Sequence, residues 1–152
     1  MIGIARPIAF TDSVNESQPY RLTSLFDKLY PATNVPFLQF RRFFSGPWLK
    51  LFHSSIIGNR RFDTRFTVGE DGLFNFLISD RFHKCTLAKP SAIYYRRYRI
   101  GSLVSKRKDK KYMAKNNFKM MIEIQKMFFS SPKNYSFRLY VIQSLGCIKG
   151  IF

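Results

Sequence analysis

The sequence predicts a mixed α/β chain with its helices gathered toward the C-terminus. Three observations carry this expectation. Short apolar runs at residues 2–10, 85–88 and 93–99 are bounded by proline, glycine and polar residues, as strands are. Apolar side chains recur at helical spacing over residues 20–30 and from Leu73 to Phe82. Residues 111–129 then carry Met113, Met120, Ile124 and Met127 near heptad spacing, and Ser130-Ser131-Pro132 ends them.

Taken in order, residues 2–10 read as an apolar strand interrupted by Pro7, and residues 12–19 as a polar turn. Leu22, Leu25, Phe26 and Leu29 give residues 20–30 a single apolar stripe. Residues 31–36, bounded by prolines, form a loop. A second helical piece covers 37–44 and stops at Ser45-Gly46-Pro47. Residues 48–57 are apolar with Lys50 and His53 inserted, and Gly58-Asn59 marks a turn. After Gly69-Glu70-Asp71-Gly72 the pattern turns helical through Leu73, Phe74, Leu77, Ile78 and Phe82. The strands at 85–88 and 93–99 flank Lys89-Pro90-Ser91, and residues 101–111 are a basic loop before the long helix. A last helix begins near Ser136, whose hydroxyl suits an N-cap.

The bulk composition sets bounds on function. A chain of 152 residues with 45% hydrophobic and 17% aromatic residues has ample material for a packed core, which excludes a disordered chain. The net charge of +17, from 26 Lys and Arg against nine Asp and Glu, favours anionic partners: nucleic acid, phosphorylated substrates or an acidic membrane face. Cys85 and Cys147 lie far apart with no metal-ligand spacing and read as reduced thiols of a cytoplasmic protein. The first residues lack the pattern of a signal peptide, and no segment reaches the length of a membrane span, about 18 apolar residues.

The chemistry concentrates at Gly69-Glu70-Asp71. Two carboxylates opening a helix sit at the positive end of its macrodipole, which favours their ionised form. Such a carboxylate at a cleft edge can accept a proton from an attacking sugar hydroxyl. Acidic residues are equally ordinary in a first helical turn as caps.

The surrounding order sharpens the reading. The chain runs Pro47-Trp48-Leu49-Lys50-Leu51-Phe52, Arg61-Phe62-Asp63-Thr64-Arg65-Phe66, Gly69-Glu70-Asp71-Gly72-Leu73-Phe74-Asn75, Ala88-Lys89-Pro90, Ile93-Tyr94-Tyr95-Arg96-Arg97 and Gly101-Ser102-Leu103. This succession resembles the second half of the bacterial family 2 glycosyltransferases that build surface polysaccharides. Their W-x-K-L-[YF], F-D-x-x-F, G-E-D-x-x-F-N and K-P-x-x-x-Y-x-Y-R elements, with a closing Gly-Ser loop, stand in the same order.

The resemblance implies a partial GT-A-type mixed sheet with flanking helices. Residues 1–105 would form the acceptor-side half of the domain and 106–152 a basic helical extension. It implies Asp71 as the base for an inverting transfer from a nucleotide sugar to a saccharide or lipid-linked acceptor. Glu70 would shape that edge of the site, and Trp48 and Lys50 would border the acceptor. Arg97 and Ser102 would lie near the diphosphate. Arg96 departs from the pattern by replacing the second Tyr of the strand.

The family's first half, with its D-x-D motif for a divalent Mg or Mn, is not found here; Asp12, Asp27 and Asp63 stand isolated. Residues 2–10 resemble the strand that follows D-x-D. The expectation is therefore a chain that begins in mid-domain, carries no cofactor of its own and is inactive alone.

Between Arg96 and Lys126 eleven basic residues face two acidic ones, Asp109 and Glu123. They suit peripheral contact with an anionic inner-membrane face, and equally a merely solvated helix. The rival reading is a non-catalytic basic binding module for nucleic acid or membrane. No RNP-like, KH-like or zinc-knuckle pattern supports nucleic acid, so none is expected as a partner. A third reading is an interaction protein that retains a degenerate transferase fold.

Overall fold

The computed structural model describes residues 1–99 and 109–149. It is mixed α/β with two mixed sheets. Over the described residues, backbone contacts divide the chain into two compact units. The first comprises residues 1–43, 48–53 and 84–99, and the second residues 44–47, 54–83 and 109–149.

The first unit holds every strand: β1 (Ile2–Ile4), β2 (Arg6–Phe10), β3 (Ser17–Gln18), β4 (Val35–Pro36), β5 (Lys50–Phe52), β6 (Lys84–Leu87) and β7 (Ile93–Arg97). One sheet has the order β4-β6-β1-β5 and the other β3-β2-β7. In the first the central pairing, β1 with β6, is parallel and the flanking ones are antiparallel; in the second β2 pairs parallel with β7 and antiparallel with β3. Between the pairs Ile4↔Leu87 and Arg6↔Ile93 one strand advances by Ala5 alone while its partner passes through residues 88–92. Two backbone bonds frame this excursion, Ala88 N–H to Ile4 O at 2.8 Å and Arg6 N–H to Ala92 O at 2.9 Å.

The expected interruption at Pro7 falls instead at Ala5, whose N–H turns to Leu49 O at 2.8 Å. Pro7 sits inside β2 because its missing donor costs nothing there. Arg6 donates toward β7, so the next residue faces the β3 side, and β3 reaches only Ala9 and Phe10. The carbonyl of Pro7 on that side accepts Thr23 Oγ1 at 2.6 Å. Thr23 belongs to α1 (Arg21–Leu29), which runs where the Leu22–Leu29 stripe predicts it, burying Leu22 and Phe26. A 3₁₀ segment, Phe37–Ser45, follows and buries Phe40 and Phe43. With Ile2, Ile4, Phe26 and Cys85, all 0% exposed, these rings form the core of the first unit.

The second unit is helical: α2 (Ser54–Ile57), α3 (Glu70–Ile78), α4 (Lys110–Ser130) and α5 (Phe137–Lys149). α3 departs from the one-stripe expectation, since Leu73, Phe74, Asn75, Phe76 and Ile78 are all buried. A helix covered on most sides is a core helix. Phe62 stacks on Phe74 at 4.1 Å and Tyr135 on Phe76 at 5.1 Å, covering two of its faces.

On α4 the buried row is Asn116, Met120, Ile124 and Phe128, a step of four residues, rather than the expected Met113-to-Met127 heptad. Asn116 is tolerated in that row because its side-chain amide donates to Val68 O at 3.0 Å. α5 begins after Ser136, whose hydroxyl accepts from Leu139 N–H at 3.4 Å, as the cap predicted. Because α3 packs on α4, residues 54–83 group with the C-terminal helices and not with the strands that precede them.

Candidate functional site

The start of α3 is built from both sides. Gly69 takes φ 82°, a left-handed conformation that a side chain strains, and Leu73 N–H closes the first turn on Gly69 O at 3.0 Å. A Cβ at position 69 would stand 2.7 Å from Met120 Sδ and Cε, so glycine also makes room for α4. The approach to Gly69 is tied to α4 twice. Asn116 holds Val68, and the hydroxyls of Thr67 and Tyr112 meet at 2.7 Å.

Upstream, Asp63 anchors a turn: its carboxylate accepts from Arg65 N–H at 3.0 Å and from the Arg65 guanidinium. That guanidinium holds the Asp63 carboxyl below its usual range, with burial opposing weakly. Phe66 is buried three residues on. The Phe62-Asp63-x-x-Phe66 stretch thus packs and aims the chain that delivers Glu70 and Asp71. Both carboxylates are half-buried in the first turn of α3. A hollow of about 230 Å³ meets the same turn at Gly69 and Gly72 and is further lined by Asn117, Met120, Gln143 and Gly146, with neither carboxylate lining it.

Trp48, Lys50 and Arg97 belong to the first unit. Lys50 Nζ donates to Trp48 O at 3.3 Å, and Leu49 between them is buried at φ 59°. A positive φ is costly for a bulky residue, so the turn that separates the two side chains is held under strain. Trp48 does not stand alone. Its ring lies 5.6 Å from Tyr94 and 6.4 Å from Tyr20.

The Arg96 guanidinium lies 5.0 Å from the Trp48 ring centroid, 5.1 Å from Tyr20 and 5.2 Å from Tyr98. It also donates to the Tyr20 hydroxyl. Burial pushes the Tyr20 phenol up, and Arg96 offsets part of that rise. Tyr20 further borders a hollow of about 320 Å³ that includes Arg6, Gln18 and Ser24. Arg6 is held by a bidentate pair with Asp27 at 2.7 and 2.8 Å. Arg97, on the opposite face of β7 from Arg96, donates to Thr11 O at 3.1 Å.

The structure therefore joins Trp48 to Lys50 in the first unit and Glu70 to Asp71 in the second, and it sends Arg96 and Arg97 to different partners. Ser102 lies outside the described residues. The aromatic cluster around Arg96 is what the sequence reading missed. Its signal is the alternation Tyr94, Arg96, Tyr98, which places the three on one face of a strand. Among the described residues no group of three or more His, Cys, Asp or Glu could hold a metal ion. No described helix is long and apolar enough to cross a membrane. Comparison with protein-family models, curated proteins and solved structures gave no match.

Proposed function

We propose that this chain supplies the acceptor side of a nucleotide-sugar-dependent glycosyltransferase of the family 2, GT-A type. The observation that carries the reading is the built start of α3. There Gly69, the Asn116 clamp and the Asp63 turn hold Glu70 and Asp71 together in the first turn of the helix. In this reading Asp71 accepts the proton of an acceptor hydroxyl. The freed oxygen attacks the anomeric carbon from the face opposite the leaving group, and the nucleoside diphosphate departs with inversion.

Glu70 shapes the same edge. Trp48, packed with Arg96, Tyr20 and Tyr94, contributes an aromatic edge for the saccharide, and Lys50 and Arg97 favour anionic groups. The donor, with its divalent cation, belongs to a D-x-D-bearing segment. The acceptor is a saccharide or a lipid-linked saccharide at the cytoplasmic membrane face.

The test joins this chain to a D-x-D-bearing donor segment and measures sugar transfer. Asp71→Asn lowers turnover about 10²- to 10⁴-fold, the usual contribution of a positioned base, with unchanged melting. Turnover at the parent rate removes Asp71 as the base. Calorimetry of the chain alone with a uridine-diphosphate sugar gives no measurable heat of binding; tight binding contradicts the division between donor and acceptor halves.

A further inference from the structure

The hairpin of α4 and α5 ends in a cluster of aromatic rings. Phe128 and Tyr140 hold it together, stacked at 4.3 Å with both rings largely covered. Phe129, the last aromatic residue of α4, and Phe137, the first residue of α5, project from the same cluster. They are 66% and 64% exposed. Their rings lie 6.0 and 6.1 Å from Tyr140.

The apolar surface continues along α5 through Ile142, Leu145 and Ile148, with Leu145 58% exposed. Residues 137, 141, 145 and 148 share one side of a helix, so the exposed side of α5 is mostly apolar. Its edges are cationic. Lys133, Arg138 and Lys149 are exposed around the tip and helix, Lys126 is paired with Glu123 at 3.0 Å, and no acidic residue follows Glu123 in the sequence. An apolar face edged by Lys133, Arg138 and Lys149 matches a surface that is apolar beneath and anionic above.

We propose that the tip and exposed face of α5 lie in the headgroup layer of an anionic lipid bilayer. Phe129 and Phe137 enter the acyl boundary while Lys133, Arg138 and Lys149 meet lipid phosphates. The inference rests on the hairpin alone and is independent of the sugar chemistry at Asp71.

The test is flotation of the full chain with vesicles of phosphatidylcholine alone or with about 30% phosphatidylglycerol, the anionic lipid supplying the surface charge. The chain floats with the anionic vesicles and not with the neutral ones. Phe129→Ser with Phe137→Ser weakens partitioning about tenfold or more, since two large apolar groups leave the interface. Lys133→Ala with Arg138→Ala weakens it about thirtyfold, roughly fivefold for each cation removed. All four side chains are exposed, so the helical circular dichroism of both variants matches the parent. Equal binding to neutral vesicles, parent-like binding by the aromatic variant, or a dimer in solution that Phe129→Ser dissociates each overturns the proposal.

Discussion

Replacing Gly69 by alanine tests whether the start of α3 is enforced by the fold. At φ 82° an alanine Cβ meets its own backbone at a cost of about 1–2 kcal/mol. The same Cβ would stand 2.7 Å from two atoms of Met120, a side chain that is itself buried. Forcing a buried neighbour aside adds about 1–3 kcal/mol. Met120 is flexible and can yield part of this, so the lower half of the combined range is expected, about 2–3 kcal/mol. With a urea m-value of about 1–3 kcal/mol/M, the unfolding midpoint falls by about 0.7–3 M.

The two causes separate in a double-mutant cycle. In a Met120→Ala background the steric part vanishes and only the backbone part, about 1–2 kcal/mol, remains. Gly69→Ala within about 0.5 kcal/mol of the parent refutes the claim that this glycine is required. An equal cost in both backgrounds refutes the Met120 contact as a cause.

Two further outcomes follow from burial. Phe76 is 0% exposed and stacked on Tyr135, so Phe76→Ala destabilises by about 3–5 kcal/mol in urea titration; a loss below about 1 kcal/mol contradicts its place in the core. Burial pushes the Cys85 thiol up to about 12 from 9.0, with Lys50 and the N-terminal amine opposing. The folded pKa lies above the unfolded one, so the stabilising contribution of the neutral thiol is complete below about 9 and fades as pH rises toward about 12. Iodoacetamide therefore labels Cys85 at pH 8 far more slowly in the native chain than in urea, and equal rates contradict its burial.

Local chemistry was legible in the sequence; placement at a distance was not. α1 and the Ser136 cap follow from spacing and a hydroxyl, both set within a few residues. The start of α3 was visible for the same reason, since glycine, two carboxylates and an apolar run are contiguous. Pro7 looked like a break because a sequence does not reveal which side of a strand lacks a partner. The full burial of α3 depends on Phe62 and Tyr135, which flank it in the chain at separations that periodicity cannot connect. Trp48 read only as a residue bordering an acceptor, since Tyr20 and Arg96 come to it from distant segments. Arg96 registered only as a departure from a pattern, although the alternation around it marked a shared face.

The parallel pairing of β1 with β6 and β2 with β7 governs the order of assembly. Residue 2 meets residue 85 and residue 10 meets residue 97, so neither central ladder can close until most of the intervening chain exists. Closing so long a loop carries an entropic penalty before any contact offsets it, whereas α4 and α5 meet across a short turn. During synthesis β1 and β2 therefore emerge long before β6 and β7, the strands that pair with them in parallel. Until residues 85–97 are made, the parallel edges of β1 and β2 stay open to pairing with other strands.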